Sequence, residues 1–338
     1  MLQALITGVS GEVGHSLIKK LHAQKYKIVA ADIKDPEEEI SDFLDKFYKC
    51  DISDKKAVEK IFEDQEFDTI FHLASILSTG GEKDPELAIN VNIGGTINLL
   101  EATTNQGLRA GKSIRFIFPS SIAAYGMPSL EVKEKRQKVK EDEFLNPITI
   151  YGISKLACEN LGNYFSKNYK LLGEIKRNNL IDFRCVRFPG LLSPDTIPSG
   201  GTSDYGPEMV HAAAQGKSYN CFVRAESKIP FMAMADAAEA LTNLAEVPKD
   251  KLTRFVYNVH GFSATADEIY KMTKKYFPNF KMSYKINPER QRIIDTWPED
   301  VDDSAAQKDW GWKPSFNFEK TFADYLIPKV KKRYHKKL

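Results

Sequence analysis

The 338-residue chain is poor in cysteine, and its four, Cys50, Cys158, Cys185 and Cys221, stand far apart with no C-x-x-C pair. Its six histidines include no H-x-x-x-H pair. A zinc site needs clustered Cys and His ligands, so no metal is expected, and scattered cysteines fit a reducing compartment. Charge of one sign is not in excess either. Lys and Arg number 48 and Asp and Glu 46, which leaves a formal net charge of +2 and no global field for nucleic acid. The basic cluster Lys329–Lys337 reads as a solvated tail on a last helix. No apolar run approaches the roughly 20 residues that cross a bilayer. A strand starting at the second residue leaves no room for a leader, so a cytoplasmic protein is expected.

What the chain does have is alternation. Apolar runs occur at Leu2–Thr7, Lys27–Asp32, Lys46–Asp51, Asp68–Leu73, Arg115–Pro119 and Phe183–Phe188. Helical patterns lie between them, at about Val13–Gln24, after an N-cap at Ser53, at Val91–Gln106 and around Ser154–Lys167. Such alternation predicts an α/β fold, a Rossmann-type doubly wound parallel sheet covered on both faces. Beyond Phe188 the pattern loosens, and Leu191–Tyr205 is rich in Pro, Gly, Ser and Thr. The expected division is a large domain over 1–188, rejoined by 219–260, with a smaller lobe from 189–218 and 261–338. Glu131–Glu143 is a charge run without an apolar face, expected as a solvated excursion. Tyr169–Leu180 reads as a surface insertion.

Thr7–Gly14 (TGVSGEVG) places Gly8, Gly11 and Gly14 between the first strand and the first helix. Glycines there let a diphosphate approach backbone N–H groups at the positive end of a helix. Asp32 ends the second strand, close to the offset of a carboxylate that holds an adenosine ribose and repels a 2′-phosphate. NAD is therefore the expected cofactor, although Lys34 stands nearby. The spacing G-x-x-G-x-x-G is similar to that of the extended short-chain dehydrogenase/reductase family. That resemblance implies that Asp51 and Ile52 face the adenine and that Leu73, Ala74 and Ser75 line the phosphate and ribose channel. Glu12, Val13 and Leu191 complete the expected cofactor set.

Tyr151 and Lys155 form a Y-x-x-x-K motif, as do Tyr270–Lys274 and Tyr325–Lys329. The last two read as helix-surface pairs. Tyr151 differs by opening the helix between strands five and six. Positions i and i+4 share a helix face, so Lys155 stands beside a phenol that an ammonium helps to ionise. Ser120-Ser121-Ile122-Ala123-Ala124-Tyr125-Gly126 resembles the S-S-x-x-x-Y-G segment of the same family, which implies that Ser121 is the catalytic hydroxyl. Tyr151 is then the base, and Lys155 supports both tyrosine and cofactor. Family dehydratases carry Asp-Glu where this chain has Ile122-Ala123, so elimination is not expected.

The distal segments narrow the resemblance. Arg187–Ser193 (RFPGLLS), Gly200–Tyr205 (GGTSDY), Asp295–Pro298 (DTWP), Asp302–Ser304 and Asp309–Trp312 (DWGW) are similar to the zinc-free, short-chain-type L-threonine 3-dehydrogenases. The implied reaction is oxidation of the threonine 3-hydroxyl. Thr202, Ser203 and Asp204 would accept from the substrate ammonium, Ser78 and the Gly80-Gly81 backbone would serve its carboxylate, and Trp297 would cap the pocket. Family members pair through the helices around Tyr151, so a homodimer is expected, with neither nucleic acid nor membrane as partner. The alternatives are a nucleotide-sugar epimerase or reductase of this fold and a non-catalytic NAD-binding protein.

Overall fold

Strands form where short apolar runs meet glycine or polar turns. The computed structural model describes residues 1–173, 179–198 and 200–335. Seven strands build the main sheet: β1 (Gln3–Thr7), β2 (Lys27–Asp32), β3 (Lys46–Lys49), β4 (Thr69–His72), β5 (Ile114–Ser121), β6 (Ile181–Phe188) and β10 (Val256–Asn258). Their order is β10-β6-β5-β4-β1-β2-β3. β1 pairs in parallel with β2 and β4, β2 with β3, and β4 with β5. The expected doubly wound α/β fold is thus the one observed. The order reverses between β1 and β4, and ligands of such sheets bind outside the carboxyl ends of strands at that switch point. Thr7-Gly8 and His72-Leu73 stand there.

The core holds the sheet to its helices through Leu5, Val29, Ile70, Leu99, Leu100, Phe116 and Phe183, all buried. Phe183 stacks on Phe116 and Phe118, with ring centroids 6.0 and 6.1 Å away. Arg184 is also buried in β6, where its guanidinium donates to Leu244 O and Val247 O, each at 2.6 Å, and pairs with Asp182. Buried donors need such partners, and backbone carbonyls supply them to Nη1, although Nε has none.

Several local expectations shift. The helix Lys55–Asp64 is capped by Asp54, whose Oδ1 accepts from Lys56 N and Ala57 N, while Ser53 bonds to Asp51 instead. Asp54 is the residue whose carboxylate reaches the first-turn amides, so the cap falls one position later. The helix around Val91 begins as a π-helical turn, Asn90–Gly94, and continues as an α-helix over Gly95–Ala110. Tyr169 is buried and stacks on Phe165 at 4.1 Å, so the start of the expected insertion belongs to the core. Residues 174–178 of that insertion, and 336–337 of the basic tail, lie outside the described residues.

The chain divides into two units. The first comprises residues 1–121, 150–187 and 238–257, and the second 122–149, 188–237 and 258–338. These bounds differ from the expected ones at 122–149, which leave the first unit, and at 219–237 and 258–260, which do not return to it. In the second unit β7 (Gly190–Leu192), β9 (Lys228–Ala233) and β11 (Phe262–Thr265) form a sheet, and β8 (Tyr219–Cys221) pairs in parallel with β12 (Met282–Tyr284). The Glu131–Glu143 run is a solvated excursion only in part, for three of its residues are buried. Val139 is buried and bridges Val301, Lys133 is buried and donates to Ile294 O at 2.8 Å, and buried Glu141 accepts from Asn258 N at 3.0 Å. Two of its charges, Lys133 and Glu141, are absorbed by backbone partners distant in sequence, which no helical periodicity reveals, while most of the others stay exposed.

Candidate active site

The glycine turn after β1 is shaped by close approach. Gly8 has φ +73°, and a Cβ there would lie 2.5 Å from Ala74 N. Only glycine fits both the left-handed backbone and the contact with β4's continuation. Gly8 N donates to Ala31 O, and Gly11 begins the turn into the helix Glu12–Ala23. Glu12 and Val13 sit half-buried in that helix's first turn, and Gly14 is buried. Asp32 closes over the same turn: its carboxylate accepts from Ser10 N at 2.9 Å and Lys34 N at 3.0 Å. Backbone amides at a helix start, unobstructed by side chains and with a carboxylate at the end of β2, fit a dinucleotide. Asp51 accepts from Ser53, and Ile52 is buried against Gly95.

Leu73, Ala74 and Ser75 are half-buried after β4. What holds them went unseen in the sequence. Asn92, in the π-helical turn, accepts from Ile76 N at 2.7 Å and donates to Ile76 O at 3.0 Å, with Ser75 Oγ at 3.3 Å from its Oδ1. Behind it His72 lies between Thr7 Oγ1 (2.7 Å) and Thr96 Oγ1 (2.9 Å), and burial pushes its pKa down to about 3. His72 is therefore neutral and locked between two hydroxyls. An asparagine inside a helical pattern was the available signal, because its side chain competes for backbone groups.

Tyr151 opens the helix Ile150–Lys167. Ile150 N donates to Glu82 Oε1 at 2.8 Å, so the short helix Ser78–Lys83 caps the helix that carries the tyrosine. Ser78 is buried at its start. At the end of β5, Ser121 is joined to Tyr151 by a side-chain hydrogen bond. Burial pushes the Tyr151 phenol up to about 12, and this bond pulls it partly back. Lys155, also buried, donates to Pro119 O at 2.8 Å and lies 5.6 Å from the Tyr151 ring centroid. Burial pushes its ammonium down to about 8. The three side chains converge as the spacing required. The group that offsets desolvation of the phenol here is Ser121, not Lys155 as expected.

The other pairs of that spacing differ. Lys274 is exposed and donates to Tyr270 at 3.3 Å. Tyr325 is buried in a π-helical turn, not on the surface as expected, because its ring packs on Phe316.

In the second unit, Leu191 is half-buried in β7. Thr202 is buried and Ser203 half-buried in the loop before the helix Tyr205–Ala214. Asp204 ends that loop, and its Oδ2 accepts from Gly200 N at 2.8 Å and Gly201 N at 2.6 Å. Its carboxylate thus serves its own loop, a use the sequence reading did not foresee. Trp297 is buried just after the helix Pro288–Asp295. Among the described residues no group of three or more His, Cys, Asp or Glu could hold a metal ion, and no helix is long and apolar enough to cross a membrane.

Comparisons with known proteins agree with this cradle. The model of the NAD dependent epimerase/dehydratase family matches residues 4–259. The mitochondrial L-threonine 3-dehydrogenase of Bos taurus is 34% identical over 318 residues, which cover 93% of this chain and 79% of that protein. Among solved structures, the L-threonine dehydrogenase of Clostridium difficile superposes with a TM-score of 0.86 at 33% identity, over 99% of each chain. A monomeric L-threonine 3-dehydrogenase from a metagenome does so with a TM-score of 0.85 at 35% identity, over 98% of this chain and 99% of that one. Parallel sheet, glycine turn and whole-length similarity converge, and the chain is a member of the NAD dependent epimerase/dehydratase family.

Proposed function

We propose that this protein oxidises L-threonine at its 3-hydroxyl to L-2-amino-3-oxobutyrate, with NAD as cofactor. The observation that carries the chemistry is the hydrogen-bonded Ser121–Tyr151 pair with buried Lys155 one helical turn on. The substrate rests on the whole-length likeness to threonine dehydrogenases. When bound, NAD supplies a hydride acceptor and, in its oxidised form, a positive charge. Gly8, Gly11, Glu12, Val13, Gly14 and Asp32 are assigned to hold it. Tyr151 takes the hydroxyl proton, and Ser121 donates to the oxygen as it becomes a carbonyl. Lys155, anchored on Pro119 O, stabilises the phenolate. The 200–205 loop is assigned to the substrate ammonium and Ser78 to its carboxylate.

The test is NADH formation with L-threonine, D-threonine, L-allo-threonine, 2-butanol and UDP-glucose. Only L-threonine should turn over well: 2-butanol leaves a site built for charged groups unpaired, and the two stereoisomers misplace either the ammonium or the hydride. Conversion of UDP-glucose to its C4 epimer, followed by chromatography because epimerisation leaves no net NADH, would replace this reading by the epimerase one if threonine is not oxidised. That second reading draws on a cavity of about 450 Å³ in the second unit, lined in part by Arg224 and Arg292. Against it, Arg224 is already paired with Asp295 at 2.7 Å and Glu226 at 2.9 Å.

A homodimer is proposed as well. Leu87, Ile89, Ile153 and Tyr164 of the first unit are all exposed apolar side chains on helices. Light scattering after gel filtration decides between this and a monomer, the state named for the metagenome relative. The four free, buried cysteines support a reducing compartment such as the cytoplasm.

A further inference from the structure

The 200–205 loop is gripped from two sides within the second unit. On one side the Asp204 carboxylate takes the Gly200 and Gly201 amides. Asp204 comes so near that a Cβ on Gly201 would lie 2.7 Å from its Oδ1, which explains the glycine. On the other side Arg290 Nη2 donates to Gly201 O at 2.6 Å, with Gly200 O at 3.4 Å. Arg290 is itself braced. Its guanidinium carbon lies 3.5 Å from the Phe222 ring centroid. Asn287 N donates to Phe222 O, and the Asn287 side chain accepts from Arg290 N at 2.9 Å. Glu208 accepts from the Tyr219 hydroxyl, and burial and Asp204 raise its pKa more than that bond and Arg290 lower it.

We infer that Arg290 and Asp204 are a positioning pair, a clip on the Gly200-Gly201 peptides that fixes how Thr202 and Ser203 are presented. Asp204 then acts through the loop amides and is not the ion-pair partner of the substrate ammonium. The two short bonds hold Gly201 at its N–H and at its C=O, which belong to successive peptide planes, so its φ and ψ have little freedom and the hydroxyls on the two following residues keep one orientation. A planar guanidinium stacked on Phe222 fixes where Nη2 points, whereas a lysine ammonium can donate but has no such stack to aim it. The inference rests on the reading that this loop receives the ammonium.

The experiment compares Asp204→Asn, Asp204→Ala, Arg290→Lys and Arg290→Leu in the full chain. Wild-type activity on L-threonine decides the underlying reading by itself. If it holds, Arg290→Leu and Asp204→Ala should raise KM for threonine about 10-fold or more, with kcat changed less and NADH affinity kept. Asp204→Asn should recover most of the Asp204→Ala loss, since one carbonyl oxygen can accept both amides, and Arg290→Lys should fall between wild type and Leu. Hydrogen exchange of peptides covering the loop gives a readout independent of turnover: it should quicken in Asp204→Ala and Arg290→Leu, and much less in Asp204→Asn. If Arg290→Leu does not fold, Arg290→Lys carries the arginine arm by the same two readouts. Asn as damaging as Ala, with loop exchange unchanged, would return Asp204 to the ion-pair role and overturn the clip. Unchanged KM and exchange at position 290 would overturn it equally.

Discussion

Two tyrosine–lysine turns in this chain share spacing and even distance. Lys155 Nζ and Lys274 Nζ each lie 5.6 Å from the centroid of the tyrosine four residues before them. Lys274 makes the direct bond to its phenol, at 3.3 Å, whereas Lys155 donates to Pro119 O. Contact within the turn therefore does not separate them. Surroundings do: Lys155 is buried at the end of β5 beside Ser121, while Lys274 is exposed on a helix whose tyrosine packs on Phe280. A base needs a second element to supply a hydroxyl and to exclude water, and only one turn has it.

Substitution sharpens that contrast most. Tyr151→Phe should lower kcat about 100-fold or more, the usual worth of a positioned proton acceptor. Near-normal turnover in that variant would place the base elsewhere. The pH profile comes next. Productive enzyme needs phenolate and ammonium together, with Tyr151 near 12 and Lys155 near 8. Below pH 8 the phenolate fraction should climb about tenfold per pH unit, and kcat/KM with it. Above pH 8 the loss of Lys155's proton should cancel the gain and level the curve. Lys155→Met should abolish that levelling, and an inflection near pH 6.5 instead would contradict the neutral His72. Asp32 follows: NAD should be preferred over NADP by about 10-fold or more, narrowing in Asp32→Gly, since the clash with a 2′-phosphate exceeds the ~1.4 kcal/mol that this ratio needs. The smallest effect is assigned to Tyr270→Phe, which should leave kcat/KM within about twofold. A large loss there would end the distinction between the two turns.

The first unit was readable because its information is local. An apolar run, a glycine turn and an amphipathic helix each carry their own signature, and the sheet followed from their alternation. The return of a third segment was also expected, at 219–260, but its bounds of 238–257 and the order of the strands were beyond that reach, since they depend on contacts between distant stretches of chain. The same holds for Asn92, Lys133 and Glu141, each satisfied by a backbone group that no window of sequence contains. Asp204 was read by its charge, while its immediate bonds are to two amides within four residues. A loop carboxylate is as often a turn builder as a ligand, and spacing alone does not distinguish them.

Arg184 also sets an order of events during synthesis. Its carbonyl acceptors, Leu244 O and Val247 O, are made some 60 residues after it, |i−j| = 60 and 63. At roughly 5–20 residues per second on the ribosome, several seconds pass between them. Through that interval the cation has only the Asp182 carboxylate, two residues away on β6, to pair with. The first unit therefore cannot close as it emerges. The part of its core around Arg184 is completed only after residues 188–237 of the second unit have been translated.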